Sequence, residues 1–334
     1  MKKNILTNYI KFFAAILVIF SHSFAISQNK YDYLGNYTKG YVNFGGLAVA
    51  ILFAISGYYI MKSLDCKGSN DFLKKRVLRL IPSLFIVVVL CIIVLGLFFS
   101  NISVIQYITD INTSKYLLNI IFIPIHSLPG VFEDNIYGAT VNGALWTMMV
   151  QFLCYMYVYF SYILKIGKKE NKNFYLLISF ILGIYGCIIF NYLNIKVLVS
   201  MIRPFLCFVF GGYLYYSEFN NKKYFITCIL FSIICLFINN YFTINILLIV
   251  GVNYIILYLC KNNSFEVDNK YLNMITLSSY ELYLVGFPVQ QSIVAINGGS
   301  MNIYFNFVIA TLIAIPISVM IRMLSEKMIK ILKF

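Results

Sequence analysis

The sequence predicts an all-α, polytopic membrane helix bundle of about ten transmembrane helices, with both termini in the cytoplasm. Composition gives the first evidence, because 61% of the 334 residues are hydrophobic and only 11% are charged. Soluble domains average about 25% charged residues. A soluble core of this size could not hide so much apolar surface from water, so lipid must surround the chain.

Apolar runs long enough to cross a bilayer recur along the whole chain. A spanning helix needs about 20 mostly apolar residues at a rise of about 1.5 Å each. Such runs lie near 9–26, 43–62, 80–99, 144–164, 174–193, 197–217, 224–240, 241–260, 272–295 and 303–324. Between the seventh and eighth runs, Asn239, Asn240 and Tyr241 must form a tight turn. We therefore predict a single integral membrane domain over residues 1–334.

The distribution of basic residues predicts the orientation. With a cytoplasmic N-terminus, 20 Lys and Arg residues lie in the inner segments and only four in the outer ones, namely Lys30, Lys39, Lys115 and Lys196. Cytoplasmic loops of membrane proteins are enriched in Lys and Arg, so we expect both termini inside. The net charge of +14 sits in short segments between apolar runs and not on one polar face. It therefore does not indicate nucleic-acid binding.

The longest predicted non-spanning segment is 100–143, which lies outside in this orientation. Its charged residues are Asp110, Lys115, Glu133 and Asp134. Its apolar stretch Leu117–Ile125 is interpreted as a short helix that lies on the membrane or folds back over the bundle. Loops of this length are often functional, so we expect the segment to form part of a substrate vestibule.

The eight cysteines form no CxxC pair, so their spacing supports neither a zinc site nor a disulfide framework. Seven of them lie in or at the ends of apolar runs, and we interpret these as small buried hydrophobic side chains. We expect no metal site.

Ionisable residues within a bilayer are costly and are functional candidates by default. Lys11 and His22 lie in the first span, eleven residues apart. On a helix this is three turns plus about 20°, so both share a face with about 16 Å between them along the axis. Imidazole is the usual general base near neutral pH. The alternative is a lysine that extends to the interface and a histidine that packs between helices. Arg203 and Glu281 are interpreted as a structural ion pair.

Two arginines precede the third span. Arg76 and Arg79 are three residues apart and share a helix face. Forked guanidinium groups at the cytoplasmic surface suit a phosphate-rich ligand such as coenzyme A. Positive-inside topology alone also explains basic residues here.

At these residues the chain resembles the acyltransferase-3 family of membrane O-acyltransferases that modify surface glycans. Five motifs carry the resemblance, in order, over nearly the whole chain: Lys11 and His22 in KFFAAILVIFSH, ILFAISGYY at 51–59, the R-x-x-R-x-x-P segment ending at Pro82, LWTMMVQFLCY at 145–155, and SYELYLVGFPV at 279–289. Three positions depart from the family pattern. Lys11 stands for the usual arginine, Gln151 for the usual glutamate and Gly286 for the usual histidine.

The resemblance implies transfer of an acyl group, usually acetyl, from cytoplasmic acyl-CoA to a sugar hydroxyl at the outer face. No permanently bound cofactor is implied, because acyl-CoA is the donor substrate. His22 corresponds to the catalytic histidine and Lys11 to its basic companion. Lys11, Arg76 and Arg79 would bind the donor phosphates. The acceptor side is expected to involve Trp146, Gln151, Tyr280 and Tyr283.

The sequence leaves two other functions open. One is a transporter or flippase that moves a glycolipid or small solute without covalent chemistry. The other is a degenerate family member that binds glycolipid without turnover. In each case we expect a multi-pass protein of the inner (plasma) membrane, of bacterial origin, with membrane lipid and a glycan or lipid-linked sugar as its partners.

Overall fold

The computed structural model describes residues 5–67, 72–164, 172–193, 195–217, 219, 221–262 and 269–332. The described chain is helical apart from connecting loops, and its isolated bridges lie in the 100–143 segment. Its long helices are α1 (Ile5–Gln28), α2 (Phe44–Lys67), α3 (Phe72–Phe99), α4 (Trp146–Ile163), α5 (Lys172–Tyr192), α6 (Lys196–Tyr216), α7 (Lys222–Ile238), α8 (Tyr241–Asn262), α9 (Ser279–Ile296) and α10 (Ile303–Leu332).

Nine of the ten predicted spans coincide with one of these helices. The span predicted over 272–295 is divided at Ser278 into a short helix, Lys270–Leu277, and α9. Among the described residues, seven helices are long and apolar enough to cross a membrane: α1, α2, α3, α5, α6, α8 and α10. Helix α7 has 17 residues, whereas α4 and α9 have 18 each and carry more polar side chains. The protein is therefore an all-α, multi-pass membrane protein. Ten crossings and cytoplasmic termini stay predictions.

The chain divides into two compact units. The first comprises Met1–Ile10, Leu34–Lys74 and Val150–Val267, of which the described residues form α2, most of α4, and α5 to α8. The second comprises Lys11–Tyr33, Lys75–Met149 and Asp268–Phe334, and contains most of α1 and α3, the 100–143 segment, α9 and α10.

In the first unit, two glycines bring the backbones of α2 and α6 together. A Cβ added to Gly57 would lie 1.9 Å from the carbonyl oxygen of Phe208. One added to Gly211 would lie 2.1 Å from the carbonyl oxygen of Ala54. Small residues allow such close approach between membrane helices, where no hydrophobic effect drives association. The Gly57 of the SGY motif and Gly211 therefore serve helix packing.

The tight turn predicted between α7 and α8 is confirmed. Helix α7 ends at Ile238, and Asn239 adopts the left-handed conformation with a φ of 44°. The side chain of Asn240 then accepts a hydrogen bond from the backbone N–H of Thr243 and caps α8. Asparagine tolerates the left-handed region and is a preferred N-cap, so two adjacent asparagines suffice for the reversal.

In the second unit, α3 contains a π-helical turn at Cys91–Leu95. The Tyr107 hydroxyl donates a 2.9 Å hydrogen bond to the carbonyl of Ile92. Its ring lies so close to Gly96 that a Cβ there would approach it to 2.1 Å. Burial raises the pKa of Tyr107 to about 12, so the hydroxyl remains a donor near neutral pH. The π-helical turn thus makes a backbone acceptor available to Tyr107.

The 100–143 segment folds into short helices at Val104–Thr109 and Ile111–Lys115, then a 3-10 helix at Tyr116–Ile121. Asn119 fixes the following turn, because its amide donates to the carbonyl of Ile125 and its oxygen accepts from the Ile125 N–H. The short helix expected in the Leu117–Ile125 stretch is therefore a 3-10 helix that ends at Ile121.

We predict that Gly57→Ala destabilises the protein. The new methyl group would collide with rigid backbone, and overpacking of this kind costs about 1–3 kcal/mol. The measurement is the thermal unfolding midpoint of the full chain in detergent. The matched control is Gly186→Ala on α5, whose added Cβ would meet the flexible end of Ile202 at 3.3 Å. Equal midpoints for the two variants would contradict the close contact of α2 with α6.

Candidate active site

Helix α9 is buried over most of its length. Every residue from Glu281 to Pro288 is buried, as are Gln290, Gln291 and Val294. An unpaired polar group inside lipid or protein costs several kcal/mol, about 2–7 in common reference scales. The polar side chains of α9 must therefore bond to neighbouring elements, and those bonds organise the site.

His22 lies on α1 against α9. Its imidazole meets the ring of Phe287 edge to face, with 5.1 Å between the ring centroids. The ring of Tyr137 contacts the same Phe287 at 5.6 Å. The His22 side chain is nonetheless partly exposed. Aromatic packing therefore fixes the orientation of the imidazole, although the residue is not fully enclosed.

A polar bond joins α9 to α1 one turn before His22. The Gln290 amide donates to the backbone carbonyl of Ile19 at 2.8 Å and to Oδ1 of Asn306 at 2.9 Å. The Asn306 amide returns a bond to the Gln290 carbonyl at 3.2 Å. All three residues are buried. One carboxamide thus connects α1, α9 and α10 at the level of the histidine.

The 126–147 region is bonded to α9 at several points. The Asn142 amide donates to the carbonyl of Leu284 at 2.9 Å, and the hydroxyls of Thr147 and Tyr283 lie 2.8 Å apart. Further along, the Gln291 amide donates to the carbonyls of Gly138 and Thr140 at 3.1 and 2.8 Å. These bonds fix the loop that carries Tyr137.

The first turn of α9 carries a separate polar cluster. The buried carboxylate of Glu281 accepts from the Ser83 hydroxyl at 2.8 Å and lies 4.0 Å from the Arg322 guanidinium. Arg79 also acts electrostatically on this carboxylate. The Tyr280 hydroxyl donates to the carbonyl of Leu80 at 3.2 Å. Glu281 therefore pairs with Arg322. The sequence-based interpretation of Arg203 and Glu281 as an ion pair is wrong. Arg203 instead donates to the Tyr41 carbonyl at 3.0 Å in the first unit.

The other predicted site residues lie on α1, α3 and α4. Lys11 and His22 lie on one uninterrupted helix, as their assumed common face requires. Arg76 is half-buried and Arg79 exposed in the first two turns of α3. Trp146 opens α4 and is partly exposed.

Gln151 belongs to the first unit. Its amide donates to the Ser56 hydroxyl of the SGY motif at 3.2 Å. No group of His, Cys, Asp or Glu within the described ranges could hold a metal ion.

Sequence reasoning missed the residues that hold the site together. Phe287, Gln290, Asn306 and Asn142 were not identified as site residues. A signal existed for one of them, because adjacent glutamines in an apolar run, Gln290 and Gln291, are costly unless they are paired. Phe287 had no such signal, since it is one of 30 phenylalanines.

A sequence model of a family described as an acyltransferase domain matches residues 7–323. The chain belongs to the acyltransferase-3 family. A stretch of 144 residues is 33% identical to the O-acetyl transferase of Shigella phage Sf6. The match covers 43% of this chain and 41% of that relative, which is less than half of its length. No solved structure matches the chain.

Membership in the acyltransferase-3 family makes Gly286 informative. A Cβ built on Gly286 would lie 2.7 Å from Cγ1 and 3.0 Å from Cδ1 of Ile19. Ile19 is one turn before His22 and is 1% exposed. The side chain that the family usually carries at this position would point at α1 beside His22. In this protein Ile19 occupies that space, so the second imidazole is replaced by an apolar contact.

We predict that Gly286→His alone lowers the unfolding temperature, because the imidazole would overlap Ile19. Combining it with Ile19→Ala creates space for the new ring. The double variant is therefore expected to be more stable than the sum of the two single effects by about 0.5–3 kcal/mol, the range for residues in contact. Thermal unfolding of all four proteins measures this coupling. Strictly additive effects would show that position 286 does not face Ile19.

Proposed function

We propose that this protein is an O-acyltransferase of the bacterial inner (plasma) membrane. It moves an acyl group, which we take to be acetyl, from cytoplasmic acyl-CoA to a hydroxyl of a cell-surface or lipid-linked glycan. One observation carries the proposal. In a chain of the acyltransferase-3 family, the half-buried His22 is held against α9 on the same helix as Lys11.

The proposed chemistry needs one base. An imidazole nitrogen of His22 removes the proton from the acceptor hydroxyl while the hydroxyl oxygen attacks the thioester carbonyl. A C–O ester bond forms, the C–S bond breaks, and the proton passes from the imidazolium to the leaving thiolate. The products are the acylated glycan and free coenzyme A. Packing against Phe287 keeps the imidazole in place.

The donor is proposed to lie along α1. Lys11 is about 16 Å from His22 along the axis, a separation that a slim pantetheine arm can span. Lys11, Arg76 and Arg79 would bind the phosphates at the inner end, and arginine forks suit that role. Lys11 keeps the charge of the family's arginine but has no planar fork.

The acceptor residues are proposed from the family resemblance. Trp146 is partly exposed and offers a surface for a sugar ring. Tyr280 and Tyr283 already use their hydroxyls in bonds to Leu80 and Thr147, so we assign them to shaping the site. Gln151 replaces a carboxylate and would act as a neutral hydrogen-bonding group.

A catalytically inactive family member is the second candidate. Two observations favour it. Gln151 and Gly286 replace ionisable residues of the family pattern, and Ile19 fills the space beside Gly286. Transport without chemistry is the remaining alternative. Dependence of any product on acyl-CoA separates the proposed enzyme from both.

We predict that His22→Ala abolishes acylation. Loss of a general base lowers the rate by about 100-fold or more. A deletion strain carrying either allele at matched membrane levels is compared by mass spectrometry of ester-linked acyl groups that mild alkali removes.

The matched control for His22→Ala is Ser23→Ala, because the Ser23 hydroxyl bonds only within α1, to the carbonyl of Phe20. Unchanged acylation in His22→Ala would refute the proposed base. Absence of acyl-CoA-dependent acylation with the native gene would refute the enzyme.

We predict that Arg76→Ala and Arg79→Ala raise the KM for acetyl-CoA by about tenfold with little change in kcat, because ground-state phosphate contacts would be lost. S-acetyl-pantetheine, which lacks the nucleotide phosphates, should not distinguish the variants from the native protein. Lys327→Ala, an exposed cation on α10, is the control. Equal KM increases with both donors would show that the arginines do not bind phosphate.

A further inference from the structure

A polar cavity of about 310 Å³ lies in the second unit, between the 100–143 segment and the end of α9. It is lined by Phe99, Asn101, Gly130, Phe132, Glu133, Asp134, Asn135, Ala295, Gly298 and Gly299. Its volume is that of a small-ligand pocket at the lower end of the usual range, about 300–1,000 Å³. None of these residues takes part in the proposed catalytic step.

The cavity offers hydrogen-bond acceptors that the protein leaves open. Asn135 is 6% exposed, and its amide nitrogen donates to the carbonyl and Oε1 of Gln291 at 3.0 and 2.8 Å. No donor in the described part of the chain reaches its Oδ1. Glu133 accepts from the Asn101 amide through Oε2 at 2.8 Å, so its other oxygen is available. An amide oxygen that no protein donor reaches, beside the exposed carboxylate of Glu133, suits a ligand with hydroxyl or N–H donors.

The rest of the wall is partly aromatic. The rings of Phe99 and Phe132 meet with 5.1 Å between centroids. Gly299 has a φ of 91° and no room for a Cβ, because the carbonyl oxygen of Asp134 would lie 2.5 Å away. The Gly299 carbonyl accepts a hydrogen bond from the Ile136 N–H at 2.9 Å. This bond joins the end of α9 to the 100–143 segment. A preformed pocket with aromatic rings and convergent acceptors suits a ring that has both C–H faces and hydroxyl edges.

We propose that this cavity is an acceptor subsite that binds a neutral, hydroxyl-rich sugar unit of the glycan. The inference rests on the proposed function, since it assumes a glycan acceptor. Glu133 and Asp134 line the cavity, and the 100–143 segment carries a single base, Lys115. Acidic sugars and free phosphate would therefore be repelled, whereas the hydroxyls of a neutral sugar would donate to the carboxylates.

The subsite is connected to the His22 surroundings through one short segment. Glu133, Asp134 and Asn135 are followed by Tyr137, whose ring contacts Phe287, and Phe287 contacts His22. Along α9, Phe287 and the cavity residue Ala295 are about 12 Å apart. The cavity therefore holds a sugar unit next to the one acylated, and it makes the enzyme prefer an oligomeric acceptor over a monosaccharide.

The test is binding of defined oligosaccharides of two to four sugar units to the purified full chain in nanodiscs, by saturation-transfer NMR. Neutral oligosaccharides and matched ones that contain uronic acid are compared. Glu133→Gln combined with Asp134→Asn should weaken binding of the neutral probes by about tenfold, because charged acceptors are replaced. The new amide oxygen at position 133 can still accept from Asn101, so the fold is expected to persist.

Two controls separate charge and shape from folding. Asp110→Asn removes a carboxylate of the same segment that only caps the helix at Ile111–Lys115, and Asn caps as well as Asp. Ala295→Phe fills the cavity, whereas Ile296→Phe changes a side chain that is 77% exposed. Loss of binding in the cavity variants but not in the two controls supports the subsite. Equal binding in all variants, or preference for the acidic probes, overturns it.

His22→Ala distinguishes this inference from the proposed function. The variant should lose acyl transfer and still bind the neutral oligosaccharides. If the native protein acylates a glycan but the cavity variants bind it normally, the subsite is wrong and the enzyme stands. If the cavity variants lose sugar binding but acyl transfer does not depend on His22, the proposed mechanism is wrong and the subsite stands.

Discussion

The second unit depends on the hydrogen bonds made by the buried polar side chains of α9. A helix in this position has no water to satisfy Glu281, Gln290 and Gln291, so each must find a protein partner. Ser83 and Arg322 serve the first, and the Ile19 carbonyl and Asn306 serve the second. These partners lie on α1, α3 and α10, and the 126–147 region supplies those of Gln291. One helix thus determines where its neighbours lie.

The placement of His22 follows from this constraint. The bond from Gln290 to Ile19 fixes α1 one turn before the histidine, and Phe287 then sets the ring plane. Phe287 is itself confined, because a Cβ on Gly143 would approach its ring to 2.6 Å. The imidazole of His22 is therefore positioned by packing and by amides on its neighbours, and the proposed step uses no carboxylate partner.

The sequence predicts the helices well because lipid imposes a length and an apolar composition that can be read locally. Asn239 and Asn240 likewise indicate the turn between α7 and α8 through their own preferences. Contacts between residues that are distant in sequence could not be predicted in this way. The pairing of Glu281 with Arg322, the contact of Gly286 with Ile19 and the insertion of Tyr107 at the π-helical turn depend on how helices pack. One-dimensional hydropathy carries no information on those distances. His22 was accessible to sequence reasoning because an imidazole in an apolar run is unusual, whereas Phe287 among many phenylalanines was not.

We propose that the acyl donor binds at the cytoplasmic end of α1 and that His22 promotes transfer of the acyl group to a glycan at the other face. Membrane vesicles of known sidedness test it directly. Radiolabelled acetyl-CoA is added to inside-out and to right-side-out vesicles that contain the protein and its glycan, with His22→Ala vesicles as background. We expect alkali-labile label on the glycan only in inside-out vesicles, where the cytoplasmic face meets the donor. Equal labelling in sealed right-side-out vesicles would contradict it.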